Sequence, residues 1–270
     1  MYICNNKGEL DPALDYAKKS LALNKEMNYP TGIEAGLSVI GWIHFNKGDI
    51  DQAMQFFDQA LGIKGIGNID KFNATSIMSR IYGIKGELDL ALKYHKQALT
   101  ISEAMGYKYP DVTSNWVNIG NIYRMKGDYN KAIEFLKRNL YFNGEVYLPN
   151  ISVFLIVLIN LDKGLREEAQ QYLSRLKDLT DKTENERIYQ LYQVTRAIVL
   201  KAGVLARNRA EAESLLKQVV KGEVIDPEMY ILSLVSLCEF LLEELENSNE
   251  PKILDEINPV ITRLLDIAEK

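Results

Sequence analysis

Five Lys-Gly pairs, each followed by an alanine five residues after the glycine, punctuate this chain: Lys7-Gly8 with Ala13, Lys47-Gly48 with Ala53, Lys85-Gly86 with Ala91, Lys126-Gly127 with Ala132, and Lys163-Gly164 with Ala169. The alanines stand 40, 38, 41 and 37 residues apart. A unit of this length cannot bury its apolar face alone and must stack on its neighbours. The spacing therefore implies a solenoid before any single element has been placed.

Each unit reads as two helices joined at the glycine. In the fourth, Trp116, Ile119, Gly120 and Tyr123 fall on one face of a helix ending near Met125, and Lys126-Gly127 stops it. The glycine supplies a positive-φ turn, and a lysine suits the carbonyl end of the helix dipole. Asp128 then stands where it caps a second helix, whose stripe is Ala132, Ile133, Phe135, Leu136 and Leu140. Ile40, Gly41, His44, Ala53, Phe57 and Ala60 repeat the scheme in the second unit, as do Met78, Tyr82, Ala91, Tyr94, Ala98 and Leu99 in the third. Small residues such as Gly41, Gly120, Ala53, Ala91 and Ala132 mark points where two helices approach closely.

These residues resemble the tetratricopeptide repeat family, whose units carry Trp, Leu, Gly, Tyr, then Ala, Phe, Ala at the same relative positions. The unit here is longer than the usual one of about 34 residues, and in that it is similar to the extended repeats of kinesin light chains and Pins-type spindle adaptors. The resemblance covers residues 7 to 145, continues to about 180, and fades over the divergent helix pairs of 181 to 270. That last part is also similar to the ends of some archaeal proteins of the family. It implies an all-α, right-handed superhelical solenoid of antiparallel helix pairs, a single domain over 1–270.

Beyond Leu176 the stripes persist in a looser spacing. Ile188, Leu191, Tyr192, Thr195, Ile198 and Val199 form one, and Ala210, Leu215, Leu216 and Val219 another, with Arg207-Asn208-Arg209 replacing Lys-Gly as the turn between them. Met229 to Leu242 is apolar almost all round, which implies burial between layers. A final helix is expected from Pro251 to Lys270, kinked at Pro259.

A net charge of −5 leaves no basic footprint for nucleic acid or an anionic membrane. Cys4 and Cys238 lie in different units without metal spacing and read as free thiols of a reducing, cytoplasmic compartment. The two histidines, His44 and His95, stand in slots that Tyr and Phe or Leu fill in neighbouring units, and so read as packing residues. The run Gly62 to Gly67 lacks the strand a phosphate loop needs and reads as a linker between units. Glu239, Glu243, Glu244 and Glu246 read as a solvated helix face. Nothing here forms a catalytic, metal or cofactor constellation, so an enzyme is not expected.

What remains is a surface. In such a solenoid the first helix of each pair lines the concave side, and its groove positions fall between the packing positions. They are Ser38, Trp42 and Phe45 in the second unit, Asn73, Ser76 and Arg80 in the third, and Ser114, Asn118, Asn121 and Arg124 in the fourth. This set of amides, hydroxyls, cations and aromatics suits a linear peptide. Asn118 either resembles the asparagines by which extended repeats grip a ligand's main chain or is a surface amide with no partner. Trp42 is either an interface anchor or buried against Phe45 and a neighbouring unit. Where chaperone-binding members carry Lys or Asn, Ser38, Trp42 and Ser76 stand instead, so chaperone tails are not the expected ligand. The expected role is an adaptor binding a partner's peptide segment; the other reading is a ligand sensor detached from an output domain. At the N-terminus, Gly8 as a turn would leave the following helix, Asp11 to Leu23, with Leu14, Ala17 and Leu21 uncovered. Self-association, or a longer parent chain, would then cover that face.

Overall fold

The computed structural model describes residues 7–65, 67–106, 111–140, 147–203, 206–222, 225, 227–248 and 250–268, and among them are thirteen α-helices and no strand. The helices gather into two compact units, 1–138 and 139–270. The first holds α1 (Lys7–Glu26), α2 (Pro30–Lys47), α3 (Ile50–Leu61), α4 (Asn68–Ile84), α5 (Leu88–Ala104), α6 (Asp111–Met125) and most of α7 (Tyr129–Leu140). The second holds α8 (Tyr147–Asp162), α9 (Arg166–Thr180), α10 (Glu186–Lys201), α11 (Ala206–Lys221), α12 (Pro227–Ser248) and α13 (Ile253–Ala268). Within each unit consecutive helices pack on one another. Alternate helices also touch, α2 on α4 in the first unit, and α8 on α10 and α10 on α12 in the second, which is the packing pattern of stacked helix pairs.

Four of the five Lys-Gly pairs are turns built alike. Gly48, Gly86, Gly127 and Gly164 all have positive φ, between 73° and 85°. In each, the glycine N–H and the next N–H bond back to carbonyls of the last helical turn, as Gly48 to Phe45 at 3.1 Å and Asp49 to His44 at 2.9 Å. That is the paired closure that satisfies a helix's orphan carbonyls, and it needs a residue free to adopt left-handed φ. The lysines do more than face the dipole. Lys47 Nζ reaches Asp11 at 2.6 Å, Lys85 reaches Asp51 at 3.2 Å and Lys126 pairs with Asp89, so the first three of these turns are tied to the second helix of the preceding pair. These pairs are exposed, where attraction is weak. Asp128 caps α7, accepting from the Lys131 N–H at 3.3 Å, whereas the Asp49 carboxylate turns instead to His44 Nδ1 at 3.1 Å.

One slot recurs inside the crossings. Gly41, Ser79 and Gly120 each lie seven residues before a turn glycine, and each faces the residue four after the repeat alanine: Phe57, His95 and Leu136. A Cβ at Gly41 would lie 3.1 Å from the Phe57 ring, and one at Gly120 would lie 2.7 Å from Leu136 Cγ. In the middle unit the pair is polar. His95 Nδ1 lies 3.1 Å from Ser79 Oγ and 2.9 Å from Asn115 Oδ1, while Ser79 Oγ donates to the Ser76 carbonyl. His95 is thus more than an aromatic filler, because it joins α4, α5 and α6 through a buried network.

Burial pushes the His95 ring below the usual histidine range; the Asn115 bond opposes this and the Arg80 charge adds to it. The folded state therefore keeps the ring neutral where the unfolded chain takes up a proton. Stability from this site is complete above the unfolded value of about 6.5 and is lost as pH falls below it. Denaturant melts between about pH 7 and 5 should show the parent losing up to about 1.4 kcal/mol per pH unit more than His95→Gln. Parallel slopes for the two proteins would show that the ring does not titrate this way.

Several expectations need correction. Lys7-Gly8 opens α1 and is not a turn, since a lone glycine costs a helix only about 1 kcal/mol, which the packed face of α1 outweighs. Leu14, Ala17 and Leu21 are not uncovered: they are the face that packs on Leu37, Ile40 and Ile43 of α2, and the large apolar residues that α1 exposes among the described residues are Tyr16 and Leu23. Arg207-Asn208-Arg209 lies inside α11, where Arg209 stacks on Phe240 and pairs with Glu243. Pro251 belongs to the turn before α13. Along α12, Leu234, Leu237 and Leu241 are buried, but Ile231, Val235 and Leu242 reach the surface, so the helix is covered on one side only. Glu239 and Glu243 are not merely solvated, because both pair with Lys201 of α10. Cys238 is a free thiol, and Cys4 lies outside the described residues.

Candidate functional site

Two first helices of neighbouring pairs, α2 and α4, build the site. Helical spacing sets Glu34, Ser38, Trp42 and Phe45 down one side of α2, and Asp70, Asn73, Ser76 or Ile77, and Arg80 down one side of α4. The two stripes bound a cavity of about 680 Å³, to which Ser38, Trp42, Asn73, Ser76 and Arg80 all contribute. Val39, Ile43, Phe57 and Ile77 supply its apolar wall, with Ala13 of α1 at one edge.

Trp42 is half-buried and packs against both core clusters that meet at α2, so its indole is held on one side and open to the cavity on the other. Phe45 is also half-buried but does not line the cavity; the Arg80 guanidinium sits 4.9 Å above its ring centre. Arg80 is exposed and has no carboxylate within ion-pair distance among the described residues. Ser38 Oγ donates to Glu34 Oε1 at 2.8 Å. The Ser76 hydroxyl, on the cavity wall, is buried without a hydrogen-bond partner among the described residues.

Glu34 is the feature sequence reasoning missed. Its side chain is 0% exposed, and Oε2 has no hydrogen-bond partner among the described residues. Burial holds its carboxyl above the usual carboxylate range; the Ser38 bond opposes this, and the neighbouring Asp70 carboxylate adds to it. Asp70 itself lines the cavity. One helical step back from Ser38 and from Asn73 would have found both acids, but carboxylates near helix starts read as solvated.

The α6 positions lie elsewhere. Ser114, Asn118, Asn121 and Arg124 are partly buried, and Arg124 Nε donates to Asn121 Oδ1 at 3.4 Å. None of the four lines the α2–α4 cavity. Among the described residues no group of His, Cys, Asp or Glu is placed to hold a metal ion, and no helix is long and apolar enough to cross a membrane.

Models of the tetratricopeptide repeat match residues 37–65 and 71–140. No curated protein matches the chain. Among solved structures, the apo form of RapI superposes with a TM-score of 0.70 at 15% identity, over 98% of this chain and 71% of RapI. The nearly identical TPR-like repeats of a Podosopora anserina kinesin light chain give 0.57 at 15% identity, over 67% of this chain and 92% of that one. Cut9, solved with Hcn1 as an APC/C hetero-tetramer, gives 0.56 at 14% identity, over 92% of this chain and 46% of the other. At these identities the likeness is one of fold.

Proposed function

The chain is a tetratricopeptide-repeat protein, with repeats at residues 37–65 and 71–140, and from that premise we propose that it is a scaffold holding an extended segment of a partner protein in the cavity between α2 and α4. Repeats of this family generally mediate protein–protein interactions. The structurally similar Cut9 was solved in assembly with Hcn1. The observation that carries the reading is the convergence of Ser38, Trp42, Asn73, Ser76 and Arg80, from two helices, on one cavity whose wall includes the half-buried indole. Aromatic anchors in such positions carry much of an interface's energy. The α6 residues Ser114, Asn118, Asn121 and Arg124 extend the proposed surface into the next repeat.

Trp42→Ala is expected to weaken binding of a captured partner segment by about 1 to 3 kcal/mol, read by titration calorimetry, with helix content unchanged. Asn118→Ala should weaken it too if the segment runs on across α6. Full affinity in a folded Trp42→Ala protein would remove the cavity from the interface.

A further inference from the structure

The cavity has charge at both ends and none between. Asp70 lies at one end with Glu34 buried behind it, and Arg80 lies at the other. No cation among the described residues pairs with Asp70 or Glu34, and no carboxylate pairs with Arg80. Between them the walls are Val39, Trp42 and Ile77. Ten residues of α4 separate Asp70 from Arg80, which at about 1.5 Å per residue is about 15 Å.

Two features make this more than chance placement of surface charge. The Glu34 carboxyl is fully enclosed beside the Asp70 carboxylate, and two acids side by side cost free energy unless a proton or a cation lies with them. Helix α2 carries no basic residue near it, the first being His44 and Lys47 in the last turn. A positive charge seated against Asp70 would offset the crowding of the two carboxylates. At the far end, the Arg80 guanidinium sits over the Phe45 ring, 4.9 Å from its centre, and is exposed, so its N–H groups can meet a carboxylate.

We propose that the segment this cavity selects carries opposite charges four residues apart around an apolar residue: Lys or Arg against Asp70 and Glu34, an aliphatic or aromatic side chain against Trp42, and Asp or Glu against Arg80. The inference rests on the peptide-binding reading above. An extended chain advances about 3.3 Å per residue and points alternate side chains to the same side. Residues one, three and five of such a segment therefore face the same wall, and its ends span about 13 Å, within side-chain reach of both charges.

A phage-displayed random heptapeptide library panned against the full chain tests this, with Trp42→Ala, Arg80→Glu and Asp70→Asn proteins panned in parallel and folding checked by circular dichroism. Arg80 is exposed, so its substitution leaves the core intact. The expected result is enrichment of oppositely charged residues four apart flanking an apolar one. Those peptides should lose at least about tenfold in affinity on Arg80→Glu, and the Arg80→Glu protein should select a basic residue in place of the acidic one. Asp70→Asn should relax the choice at the basic end. Peptides that need Trp42 but show no such charge pair, or that Arg80→Glu binds unchanged, would overturn the charge order and leave the cavity reading standing. No enrichment, or peptides that bind Trp42→Ala as tightly as the parent, would overturn both.

Discussion

Phe57→Ala is expected to destabilise the first unit by about 3 to 5 kcal/mol, because it truncates the largest fully buried side chain among the described residues. Phe57 is 1% exposed and shares a cluster with Ala53, Ala74, Met78 and Ile81, on α3 and α4. Its ring also closes on α2 at Gly41, where even a methyl group would sit at 3.1 to 3.2 Å. Removing the ring takes it out of a cluster that also holds Met78 and Ile81 and leaves a void at the crossing of three helices, so the lost burial and the cavity both add to the cost. Urea unfolding followed at the helical circular dichroism band reads the change. A loss below about 1 kcal/mol would mean that the three helices close up around the missing ring.

At the third crossing of this series, Leu136→Ala is expected to cost about 2 to 5 kcal/mol, and to cancel most of the penalty of a second change. A Cβ on Gly120 would lie 2.7 and 2.9 Å from Leu136 Cγ and Cδ2, and 3.2 Å from the Ala132 carbonyl. Leu136 is fully buried and has no room to withdraw, so Gly120→Ala alone should overpack the crossing and cost about 1 to 3 kcal/mol. In the Leu136→Ala background both contacts below 3 Å disappear, and the carbonyl contact at 3.2 Å remains. The double-mutant cycle should therefore show a coupling that exceeds the roughly 0.5 kcal/mol typical of independent sites. Strict additivity would show that α6 and α7 already shift to admit a methyl group.

The helix pairs were legible in the sequence because their signals are local. A glycine that must take positive φ and an alanine that must admit a neighbouring helix leave periodic marks, and the turns at Gly48, Gly86, Gly127 and Gly164 repeat even their hydrogen bonds. The same signal misled at Gly8, because a glycine records only that a left-handed turn is allowed there, not that one forms. Charge was the poorer guide. Glu34, the fifth residue of α2, has the sequence context of a solvent-facing acid, and only the packed structure shows it enclosed. Ser79 and Asn115 give His95 its role, yet they lie 16 and 20 residues from it, beyond the reach of any helical period. In the second unit Arg207 to Arg209 passed for a turn because polar residues at a helix start and in a loop look alike.

A chain built from like pieces risks docking a piece one place too far, and the lysine ties at its turns offer no protection. Lys47, Lys85 and Lys126 each meet an aspartate on the preceding pair, so a stack displaced by a whole unit would satisfy them equally well. The buried slots are not interchangeable in this way. His95 finds Ser79 on one side and Asn115 on the other, whereas the matching places around Phe57 are Gly41 and Ala74. Displaced by one unit, the imidazole would sit against a glycine and an alanine with its nitrogen unanswered, at a cost of about 1 to 3 kcal/mol. The histidine thus acts as an address label, telling the third pair which neighbours are its own.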